Sequence, residues 1–255
     1  MEPSRKPTTT GSPRKRRSQF NGDFIMLDVH ILPILDDNYA FVIRSNGVVG
    51  VIDPGESKPF IDFLDDKGWP LDMVINTHHH GDHTDGNTDL LDKYNAKWIA
   101  PKECGTADEV LTEGTPFVFG GTEFQIIHGS GHTKGHVCLY SAADKVLFSG
   151  DNLFAMGCGR LFEDTPAAMF EGLQKLKSLP DDVTVYFGHE YTASNAKFSA
   201  HILPDNKDIA DRCETVLTQS CTIPTMMGVE KKTNPFLIAD TAEKFTEYRA
   251  AKDNF

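Results

Sequence analysis

The chain has 255 residues, of which 39% are hydrophobic, and a formal net charge of −12. This length suits one large domain, or a domain with a smaller appendage, and allows a substantial core. No segment approaches the roughly 20 apolar residues of a transmembrane helix, and no apolar run follows the basic N-terminus as a signal peptide requires. We therefore expect a soluble protein that is neither bound to a membrane nor secreted.

The charge is unevenly distributed along the chain. Residues 1–22 carry six Lys or Arg and a single acid, Glu2, which leaves 19 basic and 36 acidic residues in the remainder. Nucleic-acid binding depends on neutralising phosphates, so the acidic body argues against a nucleic-acid partner. The five cysteines are scattered without a CxxC pair, which predicts neither a disulfide framework nor a thiolate zinc site. We expect a reducing compartment, the cytoplasm.

The first 22 residues are rich in Ser, Thr, Pro, Lys and Arg and contain little that could be buried. This composition predicts a disordered basic tail. The basic run at residues 14–17 is typical of a solvated tail, of sequence upstream of an alternative start at Met26, or of a targeting or nucleic-acid-binding patch. An organelle transit peptide is a further alternative, although the prolines and the missing apolar face disfavour it.

From Met26 onward, short β-type runs alternate with helical segments. The dipeptide Asn46-Gly47 joins two such runs and is the strongest short signal for a β-hairpin. Hairpins mixed with strand-to-helix units indicate mixed sheets covered by helices, an α+β sandwich. After His189 the pattern turns helical, which predicts a small C-terminal helical region. Periodicity predicts strands at 27–32, 40–44, 48–52, 72–76, 97–100, 124–128, 137–140, 145–149 and 183–187, and helices at about 57–67, 84–94 and 166–179.

Residues 76–83 read Asn-Thr-His-His-His-Gly-Asp-His and lie where a predicted strand meets a predicted helix. Alternate residues of an extended stretch share a face, so His78 and His80 can converge on one ion. Asp82 and His83 enter the helix and turn toward a neighbouring position. A lone histidine at a strand end is more often an ordinary polar residue than a ligand, but four potential ligands within six residues predict two adjacent metal sites.

Three later residues, His132, Asp151 and His189, also end strands or open loops beside glycine, which lets the backbone approach a site closely. Together the candidates comprise five imidazoles and two carboxylates. This donor set suits borderline divalent metals such as Zn, Fe or Mn, whereas calcium requires oxygen ligands. We expect His79 to be an ordinary polar residue facing away from its neighbours, and His136 is a candidate to orient a ligand.

These histidines and aspartates, in this order, resemble the dinuclear site of the metallo-β-lactamase superfamily. The resemblance implies a four-layer αβ/βα sandwich and two divalent metal ions per chain. The implied ligands of one ion are His78, His80 and His132. Those of the other ion are Asp82, His83 and His189, and Asp151 is the implied bridging carboxylate.

Other segments resemble one family of that superfamily, glyoxalase II or hydroxyacylglutathione hydrolase. They are Leu35–Tyr39, Thr77–His80, Gly157–Phe162, Gly188–Thr192 and Arg249–Phe255. The last carries most weight because generic superfamily members lack it. The resemblance implies a metallo-β-lactamase-fold domain at 23–188 and a helical substrate-binding region at 189–255. The residues that it implies in glutathione binding are Arg160, Phe162, Tyr191, Arg249 and Lys252.

The substrate residues have physical rationales as well as alternatives. Arg249 and Lys252 are three apart on a predicted helix, so they can present two cations together to the carboxylates of glutathione. A basic last turn that complements the helix dipole is the alternative. Phe162 and Tyr191 could equally be core aromatics.

The function implied is hydrolysis of S-(2-hydroxyacyl)glutathione thioesters, converting S-D-lactoylglutathione to D-lactate and glutathione. In the expected mechanism, a hydroxide held between the two ions attacks the thioester carbonyl, with Asp151 bridging the ions and Asp82 orienting the hydroxide. One alternative is a glutathione persulfide dioxygenase with a single iron. Another is a non-catalytic metal-binding scaffold, which the complete ligand set disfavours. The expected partner is the small-molecule thioester, bound by a monomer.

Overall fold

The structure is a computed structural model that describes residues 27–255, so the basic tail predicted at 1–22 lies outside the described residues. The described chain forms fourteen strands and nine α-helices. None of these helices is long and apolar enough to cross a membrane. The strands are β1 (Asp28–Ile34), β2 (Asn38–Ser45), β3 (Val48–Ile52), β4 (Met73–Ile75), β5 (Lys97–Pro101), β6 (Glu109–Leu111), β7 (Phe117–Phe119), β8 (Thr122–His128), β9 (Val137–Ser141), β10 (Val146–Gly150), β11 (Leu153–Phe154), β12 (Gly157–Cys158), β13 (Thr184–Phe187) and β14 (Thr225–Met226). The helices are α1 (Lys58–Lys67), α2 (Gly81–Thr84), α3 (Asn87–Tyr94), α4 (Pro166–Lys177), α5 (Thr192–Ile202), α6 (Lys207–Val216), α7 (Met227–Thr233), α8 (Pro235–Ile238) and α9 (Ala242–Asp253).

Two six-stranded sheets form the body of the protein. The first has the order β1-β2-β3-β4-β5-β6 and the second the order β14-β13-β10-β9-β8-β7. In the first sheet, β1 to β3 pair antiparallel and β3 to β6 pair parallel. In the second, β10 and β13 are parallel and the remaining neighbours are antiparallel. The prediction of mixed sheets is confirmed.

The hairpin between β2 and β3 forms at the predicted dipeptide. Ser45 pairs with Val48, which leaves Asn46 and Gly47 as a two-residue loop. Their φ angles are 49° and 84°, so both lie in the left-handed region that a tight hairpin of this kind requires. Asn and Gly adopt that region more easily than other residues, which is why the sequence signal was reliable here.

Strand β2 is buried on both faces and shows how the layers are arranged. Its Phe41 and Ile43 enter the core between the two sheets, where Phe148 and Phe187 of the second sheet also lie. The intervening Val42 belongs to a second cluster on the opposite face, because successive side chains of a strand point to opposite sides.

Helices cover the outer face of each sheet. Phe60 of α1 and Leu90 of α3 pack on the first sheet. Met169 of α4, Phe236 of α8 and Phe245 of α9 pack on the second. The order of layers is therefore helix, sheet, sheet, helix, and the predicted α+β class with its four-layer αβ/βα sandwich is confirmed.

One predicted helix, at about 84–94, is wrong in its bounds. The structure has two helices there, α2 and α3, separated at Asp85 and Gly86. The Gly86 N–H donates to the Pro54 carbonyl oxygen (2.9 Å), and a Cβ at position 86 would lie only 2.6 Å from that oxygen. This close approach to a distant loop redirects the chain. The first of the two helices begins at Gly81, three residues before the predicted start, and Asp82 and His83 lie on it.

A buried carboxylate attaches the C-terminal helices to the rest of the fold. Glu230 on α7 is fully buried. Its Oε1 accepts hydrogen bonds from Arg212 of α6 (2.5 Å) and Thr225 of β14 (2.7 Å), and its Oε2 accepts from the Met156 backbone N–H (2.8 Å). Met156 lies between β11 and β12. A single side chain thus joins α6, α7, β14 and the β11–β12 hairpin.

We expect Arg212→Ala to lower the free energy of unfolding by about 3 kcal/mol or more, because it leaves the Glu230 carboxylate buried without its cation. Urea denaturation followed by circular dichroism measures this change. The matched control is Lys58→Ala, which breaks an exposed pair with Asp62 and should change stability little. Equal effects of the two substitutions would contradict the role given to Glu230.

Candidate metal centre

The histidine-rich segment lies between β4 and α2 and changes direction at His80. The His80 backbone is extended (φ −62°, ψ 146°), and its carbonyl oxygen accepts the first hydrogen bond of α2 from the His83 N–H (3.0 Å). His78 and His80 therefore precede the turn, while Asp82 and His83 follow it on the helix. The short helix aims the second pair at the same space as the first.

The first group of side chains consists of His78, His80 and His132. One nitrogen of each lies within 4.8 Å of one nitrogen of the others. His132 Nε2 is 3.0 Å from His80 Nδ1. The Nε2 atom of His78 is buried without a hydrogen-bond partner among the described residues. An unpartnered buried nitrogen beside two further imidazoles fits a bound cation.

The second group consists of Asp82, His83 and His189, whose ligand atoms also lie within 4.8 Å of one another. His189 Nε2 is 3.3 Å from Asp82 Oδ2 and 3.3 Å from His83 Nε2. His83 is fully buried, whereas Asp82 is partly exposed. This group thus offers two imidazoles and one carboxylate to a metal ion, and its Asp82 side is open to solvent.

The Asp151 carboxylate lies between the two groups. Its Oδ2 is 3.3 Å from His132 Nε2 and 3.1 Å from His189 Nε2, and its Oδ1 is 3.4 Å from His83 Nε2. Asp151 is therefore the carboxylate among the seven residues that contacts histidines of both groups. The structure brings together all seven residues predicted as ligands.

Glycines on both sides of Asp151 allow this approach. Gly150 ends β10 with φ +49°, and a Cβ there would lie 2.5 Å from Thr77 Oγ1 and 2.7 Å from His136 Nε2. A Cβ at Gly188 would lie 2.3 Å from Asp151 Oδ1. Only glycine fits at these two positions, which explains the glycines beside the predicted ligands.

Carboxylates hold the rear nitrogens of two histidines. Asp37 Oδ1 is 2.9 Å from His189 Nδ1, and Asp53 Oδ2 is 3.2 Å from His83 Nδ1. Asp37 accepts a hydrogen bond from His189 Nδ1, so Nε2 is the nitrogen of that ring that can bind a metal, whereas Asp53 lies within ion-pair distance of His83 Nδ1 without a hydrogen bond to it. Asn38 Nδ2 acts in the same way on the carboxylate of the second group, donating to Asp82 Oδ2 (3.0 Å).

The two buried histidines of the first group are oriented through neutral oxygens. His132 Nδ1 donates to the Arg160 carbonyl oxygen (2.9 Å). Thr77 Oγ1 donates to Asp53 (2.6 Å), which leaves its lone pair to accept from His78 Nδ1 (3.0 Å). In both rings Nε2 is then the nitrogen free to bind a metal.

Burial and nearby charges act in opposite directions on these groups. Burial lowers the pKa of His78 well below its usual value, which favours the neutral imidazole that a metal requires. Burial also opposes ionisation of Asp151, but His83 and His189 outweigh it and hold the pKa of that carboxyl well below its usual range. Asp151 is therefore a buried anion at the junction of the two groups.

Several residues of this network were not predicted from the sequence as part of the site. They are Asp37, Asn38, Asp53 and Thr77. Asp37 and Asn38 lie in Leu35–Tyr39 and Thr77 lies in Thr77–His80, two of the family-like segments, so a signal was present without an assigned role. Asp53 had no local signal, because its contact with His83 depends on how β3 and α2 meet.

His136 occupies the orienting position suggested for it. It is fully buried, stacks on His78 with ring centroids 4.9 Å apart, and accepts a hydrogen bond at Nε2 from the Asp151 N–H (3.1 Å). This contact fixes the backbone that carries the central carboxylate.

A cavity of about 740 Å³ opens onto the centre. Its floor contains residues of both groups and the Asp151 carboxylate. Its wall consists of aromatic side chains and the segment that follows β12: Phe154, Gly159, Arg160, Phe162, Glu163 and Tyr191. Its size is sufficient for a small organic substrate.

Three of the five predicted substrate residues line this cavity. The Arg160 side chain is 61% exposed. Phe162 is also exposed and lies against the rings of His80 and His132, with centroids 5.7 and 5.3 Å away. Tyr191 stacks on His189 at 4.7 Å. Neither aromatic is a core residue.

The other two, Arg249 and Lys252, do not line the cavity. Arg249 is buried, and its Nη atoms donate to the Cys158 carbonyl oxygen (3.1 Å) and to Asp253 (2.8 Å). Lys252 Nζ donates to Ser194 Oγ (2.9 Å). Arg249 thus lies behind the cavity wall and contacts the strand that leads into it.

Comparisons with known proteins agree with this geometry. A model of the metallo-β-lactamase superfamily matches residues 34–107 and 104–189. Among solved structures, ETHE1 from Myxococcus xanthus superposes with a TM-score of 0.69 at 20% identity, covering 88% of this chain and 90% of that one. The BLEG-1 B3 metallo-β-lactamase superposes with a TM-score of 0.64 at 21% identity, covering 84% of this chain and all of that one. Fold and site together define a divalent-metal-binding member of the metallo-β-lactamase superfamily.

The family within that superfamily follows from closer relatives. A model described as the hydroxyacylglutathione hydrolase C-terminus matches residues 190–255. Hydroxyacylglutathione hydrolase of Rhizobium meliloti (strain 1021) is 39% identical over 253 residues, which is 90% of this chain and 99% of that protein. The enzyme of the same name from Synechocystis is 38% identical over 90% of this chain and its own full length. The chain belongs to the hydroxyacylglutathione hydrolase family.

We expect Asp151→Ala to weaken divalent-metal binding at least about 100-fold, because it removes the carboxylate shared by both groups. Elemental analysis after dialysis against a metal buffer measures the loss. The control is Asp182→Ala, which removes an exposed carboxylate paired with Lys145. An Asp151→Ala protein that retains its metal and its activity would contradict the assignment.

Asp37 and its neighbour Asp36 offer a matched pair for testing the orienting contact. Asp37→Ala should weaken metal binding about 10–100-fold, since His189 loses the acceptor that fixes its ring. Asp36→Ala alters the same loop without touching His189 and should leave metal affinity unchanged. Competition with a chromophoric chelator measures both affinities, and equal values for the two variants would refute the orienting role.

Proposed function

We propose that this protein hydrolyses S-(2-hydroxyacyl)glutathione thioesters, such as S-D-lactoylglutathione, to the hydroxy acid and glutathione. The observation that carries the proposal is a complete double set of ligands, joined by one carboxylate, at the floor of a cavity. The relatives named hydroxyacylglutathione hydrolase, at 38–39% identity over about 90% of the chain, support this substrate class.

The centre would hold two divalent ions, with zinc as the proposed metal and iron or manganese as alternatives. A di-iron-bound form of TTHA1623, which is 24% identical and superposes with a TM-score of 0.61, supports such a pair on this fold. The proposed ligands are His78, His80 and His132 for one ion, Asp82, His83 and His189 for the other, and Asp151 between them. Bound divalent ions supply an activated water at neutral pH and polarise the thioester carbonyl.

The side chains of the centre then position the reactants. Asp82 lines the cavity, and Asn38 holds its Oδ2, so its Oδ1 is left to orient the attacking water. Asp151 is proposed as the bridging carboxylate. Asp37 accepts from His189 Nδ1 and would keep that ring in one tautomer, while the buried Asp53 carboxylate lies beside His83 Nδ1.

The wall of the cavity would bind the glutathione part of the substrate. Arg160 is the exposed cation of that wall and suits a glutathione carboxylate. Phe162 and Tyr191 would pack against the rest of the thioester. Arg249 would act indirectly, because its hydrogen bond to the Cys158 carbonyl supports the segment that carries Arg160. Lys252, in the last turn of α9, donates to Ser194 of α5 and is the second proposed cation.

The division of the chain also remains a proposal: a catalytic domain at 23–188 and a substrate-binding region at 189–255. The position of Arg249 and Lys252 on α9 supports it. We propose a monomer as the functional unit. A cytoplasmic location is proposed from the cysteine pattern of the sequence.

Turnover and metal content should be measured on the same preparation. Hydrolysis of S-D-lactoylglutathione by a protein with two ions per chain is the expected result. One iron per chain with oxygen consumption on a glutathione persulfide would instead identify a dioxygenase. The complete second group around His189 favours the hydrolase.

We expect Arg160→Ala to raise KM for S-D-lactoylglutathione about tenfold with little change in kcat, because a charge-assisted hydrogen bond to the substrate is lost. Steady-state kinetics with a second substrate sharpens the test. The D-lactoyl thioester of N-acetylcysteamine carries no carboxylate, so its kcat/KM should not change.

The control variant is Arg44→Ala, whose guanidinium lies over Trp69 on the first sheet, outside the residues that line the cavity. Its KM should match the unmodified protein. An Arg160→Ala enzyme that loses activity equally on both thioesters would show that Arg160 does not recognise glutathione.

A further inference from the structure

His79, which the sequence pattern suggested would face away from the metal ligands, has partners of its own. Its Nε2 is 2.7 Å from Glu163 Oε1. The two side chains are 35% and 31% exposed, so the pair is accessible to solvent. Glu163 lines the cavity that leads to the metal centre.

A third donor lies beside this pair. One ligand atom each from His79, His80 and Glu163 lies within 4.8 Å of the others, the same spacing as in the two groups of the main centre. His80 Nδ1 faces His132 and serves the first group, so Nε2 is the His80 atom assigned to the additional group. Nε2 carries the ring proton while Nδ1 binds a metal, so a second cation there displaces this proton to solvent and the ring binds both cations as an imidazolate. Two imidazoles and one carboxylate form a donor set that holds zinc in other proteins, with a fourth position open.

We propose that His79, His80 and Glu163 form an additional, weaker site for a borderline divalent cation such as Zn²⁺, and that its occupation inhibits the enzyme. Partial exposure makes the site exchangeable with solvent and weaker than the buried centre. A cation here joins the histidine segment to the cavity wall and shares the His80 ring with the main centre. Because His80 and Glu163 line the cavity, a cation bound to them also takes space that a substrate needs, so inhibition follows from occupation.

The chain contains a natural comparison for this site. His30 Nε2 is 3.0 Å from Asp28 Oδ2, and both side chains are partly exposed. That pair resembles His79 and Glu163, but it belongs to no group of three donors among the described residues. It should therefore bind no ion at the same free Zn²⁺.

The binding experiment uses the holoenzyme with its main centre already loaded. Equilibrium dialysis against buffered free Zn²⁺, followed by elemental analysis, should give about one more ion per chain than in His79→Ala or Glu163→Gln. In these variants the apparent affinity for the additional ion should fall at least about 10–100-fold. His30→Ala should bind the additional ion as the unmodified protein does.

Activity supplies the second measurement. Turnover should fall as free Zn²⁺ rises, with the same midpoint as binding of the additional ion, and each variant is compared with itself at low Zn²⁺. Inhibition should be retained in His30→Ala and lost in His79→Ala and Glu163→Gln. Circular dichroism checks folding, and Glu163→Gln preserves the shape of the side chain.

The outcomes separate the parts of the proposal. Equal ion counts in the unmodified protein and both site variants would overturn the site. An additional ion that binds without inhibition would overturn the inhibitory role. The inhibitory role rests on the proposed thioesterase function, but the difference in ion count does not, so a failure of one is distinguishable from a failure of the other.

Discussion

A buried carboxylate between two groups of histidines is the interaction on which this protein depends. Burying an unpaired carboxylate is strongly unfavourable, so Asp151 requires positive charge around it, whether from protonated imidazoles or from bound cations. His83 and His189 lie within 3.4 Å of it, and glycines at 150 and 188 allow the approach. Asp151 and His189 follow strands of the second sheet, and His83 lies on the helix after β4 of the first sheet. The sandwich of two sheets therefore holds the charge cluster together.

The histidines are held by residues that are far away in the chain. Asp37, from the loop between the first two strands, holds His189 at a separation of 152 residues. Asp53, after the third strand, contacts both Thr77 and His83. Because both carboxylates contact candidate ligand histidines, metal binding and packing of the first sheet against the second are linked. A change in sheet packing would therefore shift these carboxylates and, with them, the histidine rings of the metal centre.

The segment after β12 connects the metal centre to the cavity. Its Arg160 carbonyl orients His132, its Phe162 ring lies against His80, and its Glu163 contacts His79. The same segment presents the Arg160 guanidinium to the cavity and is supported from behind by Arg249. Substrate, the main centre and the proposed inhibitory cation would thus all act on one short stretch of backbone.

The sequence by itself determined the features that depend on local geometry. Local sequence predicted the Asn46-Gly47 hairpin, the longer strands and the seven ligand candidates. It could do so because backbone preference and side-chain periodicity are properties of neighbouring residues. Tertiary structure alone decided the break between α2 and α3, the short strands such as β6 and β14, and the partner of His79. It also placed Arg249 behind the cavity wall, whereas the family resemblance had implied that this residue binds glutathione. Each of these depends on contact between residues distant in the chain, and no local pattern encodes such a contact.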